Sequence, residues 1–255
     1  MAHSANNFFF GLNKETGAAP SVDLLTGLVS VWEFDETSGT TATDAHGTFD
    51  GTSSNATVNQ AGILDKCYLY NGTTSIVDMG NNLGFDENQE FTYSVWFKRA
   101  STSVNFQTLI SKTETSGNYR GQWFSIRESD SATLPNRLSL TIRSQNINGY
   151  RIIVDGETQL TGTGWYHVIA TYDGSGSRNG VTMYVNGVAE SVTPLETDLT
   201  GTTLNAKPFQ VGVRDSSTFF FTGNIDQTAV WSKVLTQPEV TSLYNSGSGL
   251  AYSSW

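Results

Sequence analysis

Phe91-Thr92-Tyr93-Ser94-Val95-Trp96-Phe97-Lys98 sets the fold class. Phe91, Tyr93, Val95 and Phe97 recur every second residue, with Thr92, Ser94, Trp96 and Lys98 between them. A period of two places the first four side chains on one face of a β-strand. Outward from this stretch, runs of the same kind occupy 28–34, 107–112, 122–127, 137–143, 150–154, 165–172, 181–185, 209–213 and 224–231. Gly, Asn, Asp and Ser cluster between them, as expected of turns. Val185-Asn186-Gly187-Val188 is the sharpest hairpin signal, because Asn-Gly tolerates the positive φ angles of a type I′ turn. About a dozen short strands with tight turns point to an all-β, closed or two-sheet antiparallel fold.

Composition agrees. Of 255 residues, 37% are hydrophobic, 12% aromatic and only 15% charged, and 25 are glycine. That mix is poor in helix formers and too aromatic for disorder. Lys and Arg number 14 against 24 Asp and Glu, a net charge of −10, which disfavours binding to phosphate backbones and so excludes nucleic acid as the expected partner. The single cysteine, Cys67, lies in the apolar run Cys67-Tyr68-Leu69-Tyr70 and reads as buried packing. It cannot form an internal disulfide or a thiolate zinc cluster. No run approaches the ~18 apolar residues of a membrane span, and no Sec signal peptide is expected at the start.

One helix is legible. Thr236-Gln237-Pro238-Glu239 fits a capping box, Val240, Leu243 and Tyr244 form an apolar stripe, and Gly247 is the expected stop. Residues 1–23 show no sustained period. They carry Phe8, Phe9 and Phe10, then Gly11, Gly17 and Pro20, and read as an extended N-terminal arm ahead of one domain over 24–255. Three adjacent exposed Phe rings would favour aggregation, so the arm is expected to dock on a neighbouring protein within an oligomeric assembly.

Four motifs then carry a likeness. Trp32-Glu33-Phe34-Asp35-Glu36-Thr37-Ser38-Gly39 with Asp44-Ala45-His46-Gly47, Trp165-Tyr166-His167-Val168 with Thr171-Tyr172-Asp173-Gly174, Tyr184-Val185-Asn186-Gly187, and Gly223-Asn224-Ile225-Asp226 with Val230-Trp231 stand in the order found in laminin G-like domains. The chain resembles these concanavalin A-like jelly rolls over roughly 28–245. The resemblance implies two curved antiparallel sheets packed face to face, with one short C-terminal helix. It also implies a structural Ca²⁺ held by Asp44 and Asp226, with carbonyl oxygen near Gly47 and Asp35 as a weaker ligand. Ca²⁺ takes six to eight oxygens, so such an ion would clip the two ends of the domain together. Thr48 and Phe49 depart from the Asn and Gly that often follow in the family.

Related glucan-cleaving sandwiches carry Glu-x-Asp-x-Glu on one strand. Here Glu33 and Asp35 match, but Thr37 replaces the third carboxylate, so no catalytic residues and no enzyme activity are expected. His167, between Trp165 and Ile169, reads as a structural histidine. Tyr119, Arg120, Gln122 and Trp123, with Asn148 and Tyr150 further along, combine aromatic and polar groups suited to a shallow sugar site. Two functions follow. The first is a non-enzymatic virion structural or adhesive protein, decorating a bacteriophage capsid or tail at the virion surface and docked to other virion proteins by its arm. The alternative is a stand-alone extracellular or cell-surface lectin-like module that binds glycans.

Overall fold

The computed structural model describes residues 22–103 and 105–255. Residues 1–21 of the expected arm, with Phe8, Phe9 and Phe10, lie outside the described residues. Alternation of the kind seen at 91–98 builds strands throughout. In chain order they are β1 (Leu28–Trp32), β2 (Thr41–Ala42), β3 (Gly51–Ser54), β4 (Thr57–Ala61), β5 (Lys66–Asn71), β6 (Ile76–Asp78), β7 (Phe91–Arg99), β8 (Gln107–Thr113) and β9 (Gly121–Ile126). There follow β10 (Leu138–Arg143), β11 (Arg151–Asp155), β12 (Trp165–Tyr172), β13 (Val181–Val185), β14 (Val188–Ala189), β15 (Thr193–Asp198), β16 (Gln210–Val211), β17 (Thr222–Trp231) and helix α1 (Gln237–Tyr244).

These form two antiparallel sheets. The eight-stranded sheet runs β14-β13-β12-β7-β17-β5-β4, with β1 also on β17. The long β17 pairs β5 through Thr222–Ile225 and β1 through Thr228–Trp231, while its other edge pairs β7. The nine-stranded sheet runs β15-β11-β10-β9-β8-β16-β6-β3-β2. Tyr93, Val95 and Phe97 of the first sheet and Phe124, Leu140, Ile142, Ile152 and Val154 of the second belong to one fully buried core. Two sheets that share their inner faces in this way make a sandwich.

Two local readings hold and two change. Asn186 (φ 51°) and Gly187 (φ 79°) make the expected hairpin, and the Glu239 carboxylate accepts both the N–H and the Oγ1–H of Thr236 at the start of α1. The helix stops earlier than expected, on Asn245 in the left-handed conformation (φ 46°), a role Asn fills when Gly is not at the position. The first strand also ends early, at Trp32, because Phe34 turns left-handed (φ 57°) and drives its ring into the core against Tyr68. Among the described residues no helix is long and apolar enough to cross a membrane.

Candidate functional site

The outer faces of the two sheets are built from different residues. On the eight-stranded sheet, Leu28, Val31, Ile169, Tyr184 and Trp231 form a second apolar cluster closed over by Leu235, Val240 and Leu243. On the nine-stranded sheet, inward Leu138, Leu140 and Ile142 leave Ser139, Thr141 and Arg143 facing out. Direct pairing extends this into rows across the strands. One row is Asp78, Gln210, Ser111, Trp123, Thr141, Ile153 and Glu196, and the next holds Gly121, Arg143, Arg151 and Asp198. The face is polar, with a single Trp at its middle.

The segment after β16 folds over part of this face. Val213 accepts the Ser111 hydroxyl proton (2.8 Å), and Ser216 Oγ donates to Gln210 Oε1 (3.0 Å). Phe219 stacks on Trp123 at 5.5 Å, and Phe106 packs on the same indole at 4.7 Å. The Arg214 guanidinium lies 4.6 Å from the Trp123 ring, 5.0 Å from Tyr119 and 5.4 Å from Phe219. Guanidinium and ring faces attract through the aromatic quadrupole. Arg127 and Asp155 pair further along the face, and Arg151 donates to Glu196 (2.8 Å), Asn146 (2.9 Å) and Asn148 (3.0 Å).

The expected sugar residues separate in this geometry. Tyr119 reaches the face beside Arg214, and Asn148 contributes by orienting Arg151. Arg120 turns the other way and lines a 400 Å³ polar pocket with Glu114, Asn118 and Lys207 at the rim. Tyr150 serves the neighbouring turn, where its carbonyl accepts the Ser144 N–H at 3.0 Å. Gln122 is on the inner side, donating to the Phe85 carbonyl (2.7 Å) and Thr203 Oγ1 (3.0 Å). Trp123 is only 7% exposed, and its Nε1 donates to Thr108 Oγ1 (2.9 Å). With its faces already covered, the indole supports the site rather than offering a stacking platform. Sequence reading missed Arg143, Arg151, Arg214 and Phe219. The outward register of Arg143 was available from the Leu138, Leu140, Ile142 alternation, whereas Arg214 and Phe219 come from a turn with no periodic signal.

The residues expected to hold Ca²⁺ do not fit a cation. Asp44 accepts amide protons from Gly47 (2.8 Å), Val31 (3.1 Å) and His46 (3.2 Å) on one oxygen and from Phe49 (3.0 Å) on the other. Gly47 thus presents its N–H to the carboxylate, and a Cβ there would lie 2.6 Å from Asp44 Oδ2. Asp226 accepts from Ile63 (2.7 Å), Leu64 (3.0 Å) and Gln227 (2.7 Å), and Asp35 accepts from Lys66 (2.8 Å). Asp44 and Asp226 share no donor. A ring of N–H groups presents positive charge where Ca²⁺ requires oxygen lone pairs. Among the described residues no group of three or more His, Cys, Asp or Glu is placed to hold a metal.

Burial pushes Asp44 up, but its hydrogen bonds to Gly47, Phe49 and Val31 outweigh this and leave the carboxyl below its usual range. Asp226 is buried more deeply, and loss of solvation lifts it to about 7 despite its three amide donors.

The glycosidase-like carboxylates share a 250 Å³ cleft lined by Glu33, Asp35, Glu36, Thr43 and Ala45. The left-handed turn at Phe34 breaks the alternation that would set Glu33 and Asp35 side by side on a strand. Glu36 is bound by the Thr43 N–H (2.6 Å) and the Tyr68 hydroxyl (2.8 Å). His167 is buried, 2.8 Å from Ser94 Oγ and stacked at 4.7 Å on Trp96. Cys67 is buried, and loss of solvation pushes its thiol up to about 11, as inert packing requires.

Comparison with known proteins follows the architecture. Domain 4 of AbnA, an extracellular arabinanase from Geobacillus stearothermophilus solved with arabinotriose, is 22% identical. The match covers 84% of this chain and 96% of that domain, with a TM-score of 0.61. Trypanosoma rangeli sialidase is 15% identical over 87% of this chain (TM-score 0.61), and the chain spans about a third of that protein, 33%. The receptor binding domain of botulinum neurotoxin C/D mosaic serotype is 17% identical over 86% of this chain and 51% of its own (TM-score 0.61). At these identities the likeness is one of fold. No curated protein sequence matches the chain. A family model described as the concanavalin A-like lectin/glucanases superfamily, of the laminin G type, matches residues 71–241. With two thirds of its sequence matched and both sheets in place, the chain belongs to the concanavalin A-like lectin/glucanase superfamily.

Proposed function

We propose that this lectin-like jelly roll is a non-catalytic module that binds carbohydrate on the outer face of its nine-stranded sheet. The observation that carries the reading is the polar face itself, where Tyr119, Arg143 and Arg151 stay partly exposed around buried Ser111, Trp123, Thr141 and Gln210. Ser, Thr, Gln and Arg side chains face out there, while the matching face of the other sheet is sealed by apolar residues. Sugars are held by converging polar groups in shallow sites of this kind. The arabinotriose-bound arabinanase domain, matched over nearly its whole length, supports the same reading. Asp155, Glu196 and Asp215 on this face each pair with an arginine, which supports a non-catalytic role. Retaining glycosidases need two carboxyl groups about 5–5.5 Å apart and available to the sugar.

The test is calorimetric titration with arabinotriose and a galactose trisaccharide, using the full chain and Tyr119→Ala. Binding to either sugar, weakened at least about fivefold by the substitution, supports the reading. Silence across neutral and acidic oligosaccharides overturns it. We propose further that residues 1–23 tether the module to a virion or similar assembly, a reading supported by Phe8, Phe9 and Phe10 in the sequence. Deleting residues 1–20 is expected to abolish assembly while leaving the melting temperature near that of the full chain. A sharp fall in melting temperature with assembly intact would overturn the tether.

A further inference from the structure

Arg143 and Arg151 stand directly opposite each other across β10 and β11. Like charges in that position are destabilising. A third arginine, Arg214, lies over Trp123 and Tyr119 beside them, so three of the chain's 14 cationic Lys and Arg residues share one patch of a protein that carries −10 overall. Two of the three are occupied. Arg151 is held by Glu196, Asn146 and Asn148, and Arg214 by Asp215 at 3.7 Å and by its aromatic neighbours. Arg143 has no hydrogen bond and no ion pair among the described residues, and its Nε is buried without a partner. The titratable groups around it are Arg214, Arg151, Glu196 and Tyr119. Burial and the two cations lower it only to about 10, so it stays charged at neutral pH.

A partly buried, unpaired guanidinium facing a like charge carries two costs at one point. The one carboxylate beside it, Glu196, is already paired with Arg151. A planar oxyanion would remove both costs, because the guanidinium fork matches carboxylate and sulfate geometry through paired N–H donors. We propose that Arg143, flanked by Arg151 and Arg214, binds an oxyanion carried on a sugar ring, so that the face selects acidic over neutral glycans. The proposal rests on the carbohydrate reading above and names its ligand class. The protein's overall negative charge repels long polyanions, so short acidic segments suit the patch best.

The experiment titrates the full chain with trigalacturonate, its fully methyl-esterified neutral counterpart, and a sulfated galactose trisaccharide beside unsulfated galactose trisaccharide. Trigalacturonate is expected to bind at least about tenfold more tightly than the ester at 50 mM salt, with the preference shrinking as salt rises. Arg143→Gln is expected to erase the preference, so that trigalacturonate and its ester bind with equal affinity. Arg143→Lys, which keeps the charge but not the fork, is expected to restore only part of it. A preference for the sulfated sugar with none for trigalacturonate also supports the site and assigns its anion as sulfate. Equal affinity for every charged and neutral pair, or a preference that survives Arg143→Gln, overturns the proposal while glycan binding stands. Silence toward all four sugars overturns both readings. The melting temperature of Arg143→Gln reports folding independently, and relief of the like-charge pair is expected to hold or raise it.

Discussion

The two outer faces of this sandwich solve the same covering problem in opposite ways. Over the eight-stranded sheet, Trp231 lies beneath Trp255 at 5.4 Å, Leu243 and Val240 descend from α1, and Leu24 closes the edge by accepting the Trp231 indole proton (2.8 Å). Over the nine-stranded sheet the cover is a short turn, and the groups beneath it are hydroxyls, amides and guanidiniums. Apolar burial is non-directional and tolerates whatever fills the space, whereas buried polar groups need specific partners. The first face is therefore built for stability. The second leaves Ser125 Oγ, one oxygen of Asp155 and Arg143 Nε without partners, as the first leaves Trp96 Nε1 and His167 Nδ1, so the contrast lies in the polar and apolar character of the two faces. These atoms are themselves buried, so a ligand would meet the second face through the partly exposed Tyr119, Arg143 and Arg151.

The largest effect should come from breaking the sealed face. Trp231→Ala removes a fully buried indole and its hydrogen bond to Leu24. Loss of such a side chain costs about 3–5 kcal/mol. Denaturant unfolding is expected to show that loss, while sugar affinity per folded molecule stays unchanged. A loss of binding in the fraction that remains folded would mean that the two faces are coupled, and the division drawn here would fail.

Next in size is Asp44→Ala, which leaves the amides of Val31, Gly47 and Phe49 without their acceptor. Hydrogen bonds to a charged group are worth more than neutral ones, so a loss of about 3 kcal/mol is expected. Because the Asp44 carboxyl sits below its usual value, its stabilisation is full above pH ~4 and fades as the pH falls through the folded value. Chelator or added Ca²⁺ should leave the melting temperature unchanged. A rise with Ca²⁺ that vanishes in Asp44→Ala would restore the ion, since a ligand of the native state must stabilise it.

Arg143→Gln should sit near zero on the same scale. Removing one member of a like-charge cross-strand pair is worth about 0.5 kcal/mol in favour of folding. A destabilisation above ~1 kcal/mol would show that Arg143 belongs to the framework, and the contrast between a structural and a receptive face would lose its sharpest member.

How far the sequence carried these conclusions depended on whether a signal was periodic. Tyr93, Val95 and Phe97 alternate cleanly and lie in the core, and residues 165–172 and 181–185 coincide with β12 and β13, because inward packing on a shared core enforces that period. Thr236 and Glu239 marked α1 through a local bond that needs no tertiary partner. The strand expected over 28–34 stops at Trp32 because a left-handed residue at Phe34 ends it, and nothing in the local sequence announces a positive φ on Phe. Trp123 lay on the expected face, but its burial depends on Phe219 and Arg214, nearly a hundred residues away in a turn without period. Asp44 was expected as a Ca²⁺ ligand. Its carboxylate is ringed by amide protons because neighbouring N–H groups converge on it, a fact of loop conformation that residue identity does not encode.

The smallest net effect comes from two titratable groups buried under the sealed face, both beside Trp96. His167 and Asp226 each pair with that residue across the strands. Burial lowers His167 to about 3 and raises Asp226 to about 7. The unfolded chain takes up a proton at His167 near pH 6.5, which the folded chain refuses until about pH 3. The stabilisation is therefore full above about pH 6.5 and is lost as the pH falls. Asp226 runs the other way: its contribution is full below about pH 4 and is lost as the pH rises towards 7. Each group changes stability by about 1.4 kcal/mol per pH unit within its window, and between about pH 4 and 6.5 the two slopes oppose and nearly cancel. His167→Phe keeps an aromatic ring against Trp96 and removes only one member of the balance. Relative to wild type, its stability is expected to fall by about 1 kcal/mol for each unit of rise from pH 4.5 to 6.5, read from urea midpoints at fixed salt. Wild-type and variant curves that stay parallel across that range would show that the sealed face does not hold these two groups in opposite charge-averse states.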